Sequence, residues 1–396
     1  MTTVEKPSVV FVDDEPLILD GLRRQLRGRR DRWDMRFVDS GEAALRELEA
    51  RPAALVVSDM RMPGMTGADL LLEVQKRWPA TARIILSGQT NQAEVEKGLG
   101  AIHQFLQKPC EENVLCRAME AAFTMVASCA NAHTQAMVAG LRSLPVLSDT
   151  LVELTRVLKD ANSGLNDISA AIEKDMALAV KVVQLVNSSF FGIARHVSSV
   201  HQAVILLGAG TIQSLAMSSG LFEMIGKGAP GADEINDLWS KSIEIGNEAG
   251  RLAKLAGQPV TVSDKATMAG GLSLIGRSIL IRSEPERFMK TVEIAKAESI
   301  PLYQAEAAEF GVTQQMIGGF ALGLWGFDPT TVNTVVQQVD PQTSTADQSN
   351  HPLSYVHLAR CVSEASDLVE QIEPSHAFIE AVGLRKLLPV QQESAT

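Results

Sequence analysis

Short apolar runs alternate with amphipathic stretches through the first 110 residues. The runs predict strands at Val9–Val12, Met35–Val38, Leu55–Ser58, Arg83–Leu86 and Gln104–Leu106. Each is too short for a helix, and most are rich in β-branched or aromatic residues. Between them, apolar positions recur at helical spacing. Leu17, Ile18, Leu22 and Leu26 share one face, Ala43, Ala44, Leu45 and Leu48 a second, and Leu70, Leu71 and Val74 a third. Asn91 and Glu94 stand at the spacing of a capping pair opening a fourth helix. Strands that alternate with helices imply a parallel sheet covered on both faces, an α/β fold.

The period changes after Pro109. The stretch Asn113–Leu141 is rich in Ala, Met and Val, carries only Arg117 and Glu120 as charges, and contains no Pro. Such a composition favours helix. About 29 residues would span ~40 Å if the helix is continuous. The alternative is a first helix followed by a short second one, broken near Ser128–Asn131. So few charges suit a helix buried against a second chain or against the rest of this one.

From residue 144 to about 390 the spacing is helical almost throughout, which predicts an all-α unit. Leu151, Leu154 and Leu158 share a face, as do Met176, Val180, Val183 and Val186. Gly208 closes the run Ala203-Val204-Ile205-Leu206-Leu207 as a C-cap would. The polar run Pro341–Asn350 reads as a surface loop, and residues 391–396 as a disordered tail.

Charge divides unevenly. Residues 1–110 hold 16 Lys/Arg and 16 Asp/Glu, whereas the chain holds 36 and 47; the remainder therefore has 20 and 31 and carries the whole net charge of −11. An acidic C-terminal part argues against nucleic acid as a partner, because phosphate attraction needs a basic face. No apolar run reaches the ~20 residues of a membrane span, and the N-terminus has no signal-like apolar region, so a cytoplasmic location is expected. Cys110, Cys116, Cys129 and Cys361 form no Cys-x-x-Cys pair and read as buried small hydrophobes.

Several predicted strands end in residues suited to chemistry. Asp13 and Asp14 follow the first, Asp59 the third, Ser87 the fourth and Lys108 the fifth. The C-terminal edge of an open α/β sheet is where ligands bind. Three converging carboxylates call for a cation, and oxygen donors favour Mg2+. A carboxylate can also attack phosphorus to give an acyl phosphate, and the charge of that transition state needs a metal and fixed donors. On this reading Asp13, Asp14 and Asp59 hold Mg2+, Asp59 is the phosphoacceptor, and Lys108 and Ser87 bind the transferred phosphoryl oxygens.

The Asp-Asp pair, Asp59-x-x-Met62-Pro63-x-x-x-Gly67, Ser87 and Lys108-Pro109, in this order, resemble the receiver domain of two-component response regulators over roughly residues 7–125. The resemblance implies a flavodoxin-like, doubly wound sheet of five parallel strands. It further implies that the Arg61 backbone carbonyl is a Mg2+ ligand and that Phe105 is an aromatic switch residue acting with Ser87.

In the C-terminal part, Leu185-Val186-Asn187-Ser188-Ser189-Phe190-Phe191-Gly192 and Ser198–Gly208, together with Leu144-Pro145, Asp175 and Trp239, resemble the HDOD domain. That helical output domain is related to HD-type metal phosphohydrolases. The resemblance places Ser273 and Leu274 where the enzymes carry their metal-binding His-Asp dyad, and Lys241, Gln314 and Gln337-Gln338 where His is common. Leucine cannot bind a metal, and a carboxamide replaces imidazole poorly. None of the seven histidines precedes an Asp, and His196 and His201 only flank a loop.

The organisation expected is a receiver domain at 1–125, a connecting helix at 113–143 extending its last helix, an HDOD domain at 144–390 and a tail at 391–396. The function expected is that of a response regulator and not an enzyme. A sensor histidine kinase phosphorylates Asp59, and the HDOD domain, without a cofactor of its own, passes the signal to a downstream protein, with the chain a homodimer. The alternative is an HDOD domain that binds or hydrolyses a nucleotide such as a cyclic dinucleotide.

Overall fold

The computed structural model describes residues 6–88, 101–128, 145–147, 153–154, 156–158, 160, 163–187, 197–217, 223–225, 231–341 and 351–387. The first unit contains β1 (Ser8–Val12), α1 (Pro16–Gln25), β2 (Asp34–Val38), α2 (Gly41–Ala50), β3 (Leu55–Asp59), α3 (Gly67–Arg77), β4 (Ala82–Ser87), β5 (Gln104–Gln107) and α4 (Glu112–Ser128). The strands pair in parallel in the order β2-β1-β3-β4-β5. Val9–Val12 and Leu55–Val57 are buried without alternation, as strands covered on both faces must be. The expected strands therefore lie in place, each longer by a residue at one end or both. The predicted helix opening at Asn91 and Glu94 falls outside the described residues.

The second unit is mostly helical. It contains β6 (Pro145–Leu147), α5 (Leu165–Glu173), α6 (Met176–Val186), α7 (Val200–Met217), β7 (Glu223–Ile225), α8 (Ala232–Leu255), α9 (Val260–Gly271), α10 (Ile275–Ser283), α11 (Pro285–Glu298), α12 (Leu302–Phe310), α13 (Gln314–Leu324), α14 (Pro329–Gln337), α15 (Pro352–Val362) and α16 (His376–Ala381). One expectation is corrected here. The unit is not all-α, because β6 and β7 form a short parallel pair. The helix does break at Gly208, which takes φ 73° and ψ 159°, outside the helical region, so α7 spans two helical segments meeting at a kink. A residue without a Cβ adopts that conformation most readily.

Helix α8 is the central packing element, lying against α9 and α15. Its inward stripe includes Ile235, Leu238, Trp239, Ile245, Ala249 and Leu252, all buried. Asp175 is buried and caps the start of α6 by accepting from the Leu178 N–H at 3.0 Å. Asn187 donates to the Val197 carbonyl and accepts from the Val197 N–H, each at 2.8 Å. Asp175 thus satisfies a backbone group at the start of α6, whereas Asn187, at its end, pins the backbone of Val197 just before α7. Of the connecting helix, α4 is described to Ser128; residues 129–144 lie outside the described residues, as do the loop at 342–350 and the tail at 391–396.

Candidate functional site

The parallel register sets the C-terminal ends of four strands side by side. Val12 pairs with Ser58, Asp59 with Leu86, and Ser87 with Gln107. Asp13, Asp59, Ser87 and Lys108 therefore lie along one edge of the sheet. With β1 between β2 and β3, the strand order reverses beside Asp13 and Asp59, the position where such sheets bind ligands.

The Lys108 ammonium is the hub. It donates to Asp13 Oδ2 at 2.6 Å and also to Asp59 Oδ1. Its backbone N–H donates to the Ser87 carbonyl at 2.7 Å, which fixes the start of the side chain against β4. The Lys108–Pro109 peptide is cis. Asp13 is buried, and its second oxygen accepts from the Glu15 N–H at 3.0 Å. Asp59 Oδ2 accepts from the Arg61 N–H at 2.6 Å. Asp14 follows Asp13 with intermediate burial.

Burial pushes the Asp13 carboxyl above its ordinary pKa, and the Lys108 hydrogen bond offsets only part of this. Burial also works against the Lys108 ammonium, but its hydrogen bonds to Asp13 and Asp59 prevail and hold its pKa above the usual lysine value. The lysine is therefore a fixed cation between two carboxylates.

The loop after β3 is shaped by close approach. A Cβ on Gly67 would run into the Asp59 carbonyl, and the Gly67 N–H donates to the Met60 carbonyl at 2.9 Å. Thr66 caps α3: its hydroxyl accepts from the Asp69 N–H at 3.2 Å. The Pro63–Gly67 segment thereby folds back over the end of β3 and holds Asp59 at the surface. Ser87 is buried at the end of β4. Phe105 lies on β5, and its side chain is outside the described residues.

Among the described residues, no group of three or more His, Cys, Asp or Glu side chains is placed to hold a metal ion. The structure joins two of the three expected carboxylates, Asp13 and Asp59, through Lys108. The donors available here, carboxylate and carbonyl oxygens, are the hard ligands that Mg2+ takes, and the ion usually keeps several waters. The residues thus fit such an ion with water completing its shell.

The two residues expected at the dyad positions lie in the second unit. Ser273 and Leu274 are fully buried between α9 and α10. The Ser273 carbonyl accepts from Gln314 Nε2 at 3.2 Å and from Gln338 Nε2 at 2.8 Å. The buried His357 imidazole, bonded to Gln338, is occupied at both nitrogens. The Ser375 N–H donates to Nε2 at 3.0 Å, so Nδ1 carries the proton and donates to the Gln338 carbonyl at 2.9 Å. Burial lowers its pKa, consistent with that neutral tautomer. Lys241 pairs with Glu244 at 2.9 Å on the flank of α8.

Beside this cluster lies an ionic network that sequence reasoning missed. Arg277 Nε donates to Glu306 Oε1 at 2.6 Å, Nη1 to the Leu368 carbonyl at 2.7 Å and Nη2 to Glu370 Oε1 at 3.0 Å. The Arg277 and Glu306 side chains are both 0% exposed, so neither charge is tolerable without the other. Glu306 Oε2 also accepts from the Gln314 N–H at 3.1 Å. One signal was available: Arg277 interrupts an apolar run, Ile275 to Ile281, in which a lone charge must be partnered.

Comparison with known proteins follows the same division. The model of the response regulator receiver domain matches residues 9–120, and that of the HDOD domain matches residues 144–341, half of the chain. An uncharacterized protein of Treponema pallidum (strain Nichols) is 28% identical over 192 residues, 48% of this chain and 37% of that protein. The hydrogenase transcriptional regulatory protein HoxA of Cupriavidus necator is 36% identical over 107 residues, 26% of this chain and 22% of HoxA. The transcriptional regulatory protein GlrR of Escherichia coli K12 is 34% identical over 122 residues, 29% of this chain and 26% of GlrR. The chain thus spans well under half the length of these curated relatives. Among solved structures, the MmoQ response regulator of Methylococcus capsulatus is 22% identical, with 62% of this chain and 96% of that one covered, at a TM-score of 0.47. The receiver domain of an HD domain-containing protein from Pseudomonas fluorescens is 28% identical, covering 31% and 99%, at a TM-score of 0.30. No described helix is long and apolar enough to cross a membrane. The chain belongs to the response regulators, with a receiver domain followed by an HDOD domain.

Proposed function

We propose that Asp59 accepts a phosphoryl group from a sensor histidine kinase and that the HDOD domain answers by protein contact rather than catalysis. The convergence of Asp13, Asp59 and Lys108 carries this reading. An Asp59 carboxylate oxygen attacks the phosphorus held on the kinase, the Asp59 O–P bond forms, and the P–N bond to the kinase histidine breaks. Lys108, already beside Asp59, binds a phosphoryl oxygen as charge builds there. Ser87 at the end of β4 is assigned to another of those oxygens, and Phe105 to the switch. Mg2+ would be held by Asp13, Asp14, Asp59 and the Arg61 carbonyl, and it supplies electrostatic stabilisation of the transferring group.

The non-catalytic reading of the HDOD domain rests on its residue types. Ser273 and Leu274 offer no imidazole–carboxylate pair, and Gln314 and Gln338 spend their amides on the Ser273 carbonyl. The downstream partner is then a protein, and the chain works as a homodimer. The test is acetyl phosphate with Mg2+, read by intact mass. Wild type is expected to gain one phosphoryl group and Asp59→Asn none; labelling that persists in Asp59→Asn overturns the assignment. Stoichiometric Fe, Mn or Zn in the purified protein would overturn the non-catalytic reading.

A further inference from the structure

Helix α6 of the HDOD domain is apolar on every side. Met176, Ala177, Leu178, Ala179 and Val180 are all buried, and five consecutive residues turn through more than a full circle at about 100° each. Val182, Val183 and Val186 continue the pattern. The helix lies against α5, α7, α8 and β6. One ionisable residue, Lys181, stands in the middle of it.

Lys181 is half-buried. In a helix a side chain leans back over the residues three and four before it, here Leu178 and Ala177, both buried. Among the described residues its ammonium makes no hydrogen bond and no ion pair. The other half-buried lysines all meet a carboxylate: Lys108 meets Asp13 and Asp59, Lys241 meets Glu244, and Lys265 meets Asp328. The elements against α6 do carry charges, Asp167 and Glu173 on α5, His201 on α7 and those of α8 from Asp233 to Lys254. None offsets the burial, which alone pushes the Lys181 pKa down to about 8. At neutral pH its free-base fraction is then roughly a hundredfold that of a lysine with the usual value.

This environment selects among the reactions of an amine. A lysine forms an iminium with an aldehyde, a carbamate with carbon dioxide, or an amide with an activated acyl group. The iminium keeps a cation and the carbamate creates an anion, and either leaves an unpaired charge among apolar groups. The amide is neutral. It removes the charge that burial penalises, and it forms from the free-base amine that burial supplies.

We propose that Lys181 is an acylation site, modified by a small activated acyl donor of the acyl phosphate class. The Nζ lone pair attacks the acyl carbonyl carbon and an N–C bond forms. The C–O bond to the phosphate breaks, inorganic phosphate leaves with the electron pair, and the surplus Nζ proton passes to solvent. The one charge on α6 is then gone. Acetyl phosphate would thus meet this chain at two places through different bonds, P–O cleavage at Asp59 and C–O cleavage at Lys181. The second does not rest on the first.

The test treats the full chain, wild type and Asp59→Asn, with acetyl phosphate in EDTA and follows each lysine by peptide mass mapping. Acetyl and phosphoryl adducts differ in mass and are read separately. At neutral pH Lys181 is expected to acetylate at least about tenfold faster than the exposed Lys254, Lys290 and Lys386 in both proteins, partial shielding taking back some of its advantage. In urea that unfolds the chain the preference is expected to vanish. The Lys181 rate is expected to level off above about pH 8, whereas that of Nα-acetyl-lysine amide in the same solution still climbs. A Lys181 rate no greater than those of the exposed lysines overturns the proposal. So does a preference that survives unfolding, or a rate that climbs in parallel with the small amine.

Discussion

Arg277→Met should destabilise the HDOD domain by about 3–5 kcal/mol, the cost of breaking a buried ion pair from one side. The guanidinium makes short bonds to Glu306, to the Leu368 carbonyl and to Glu370, at 2.6, 2.7 and 3.0 Å. Hydrogen bonds to charged groups contribute roughly 1.5–3 kcal/mol each, which alone would suggest a larger loss. Part of that sum is returned, because the variant no longer desolvates a guanidinium. What remains is mainly the penalty of Glu306, fully buried with its cation gone; Glu370 keeps Arg360, whose Nη2 is 3.8 Å away. Urea unfolding followed by tryptophan fluorescence measures this, since Trp239 and Trp325 are both buried in the HDOD domain. Arg277→Met/Glu306→Leu should be no worse than Arg277→Met alone, because the second change removes the orphaned charge. The pH dependence is a further check. Burial already raises the folded-state pKa of Glu306 above 4.5, with Arg277 opposing it. A carboxyl raised in the folded state favours folding when protonated, and that contribution is lost as pH rises through the raised pKa. Removing Arg277 raises it further, so the deficit should be largest at neutral pH and shrink as pH falls toward 4.5. A loss under about 1 kcal/mol, or a double variant whose losses simply add, would refute the argument.

Two further outcomes concern the receiver. Lys108→Met leaves Asp13 and Asp59 facing each other without a cation, so its melting temperature in EDTA should fall below wild type and recover more than wild type does on adding Mg2+; equal Mg2+ responses would contradict the paired geometry. Gly67→Ala drives a methyl group into the Asp59 carbonyl and should cost about 1–3 kcal/mol as an overpacking change while slowing acetyl-phosphate labelling. Unaltered labelling and stability would mean the loop shifts freely.

Much of this architecture could be read from the chain because it is written locally. Val9–Val12 and Leu55–Ser58 are continuous apolar runs, and a carboxylate at the end of each reports on a sheet edge. The helical unit announced itself through stripes such as Met176, Val180, Val183 and Val186. What escaped depends on distant partners. Three-residue strands such as Pro145–Leu147 have no period to detect and exist only because Glu223–Ile225 lies beside them. Gly208 carries the signature of a helix end and does break the helix, but the second helical segment that follows it at once is not announced by that signature. Gln314 and Gln338 stood out only as absent histidines, and their shared bond to the Ser273 carbonyl required the fold. Glu306 and Glu370, read alone, look like ordinary surface acids.

The sheet order has a consequence for the chain as it is synthesised. Asp13 and Asp59 emerge well before the residue that neutralises them, since Lys108 follows by 95 and 49 positions. A nascent receiver lacking β5 presents two carboxylates at the sheet edge with no ammonium between them, and their repulsion opposes early closure. Docking of the last strand supplies the cation and completes this edge in one event. A truncated or half-folded copy therefore lacks the assembled carboxylate–lysine edge, and on the role proposed for Asp59 its competence to accept a phosphoryl group would coincide with completion of the domain.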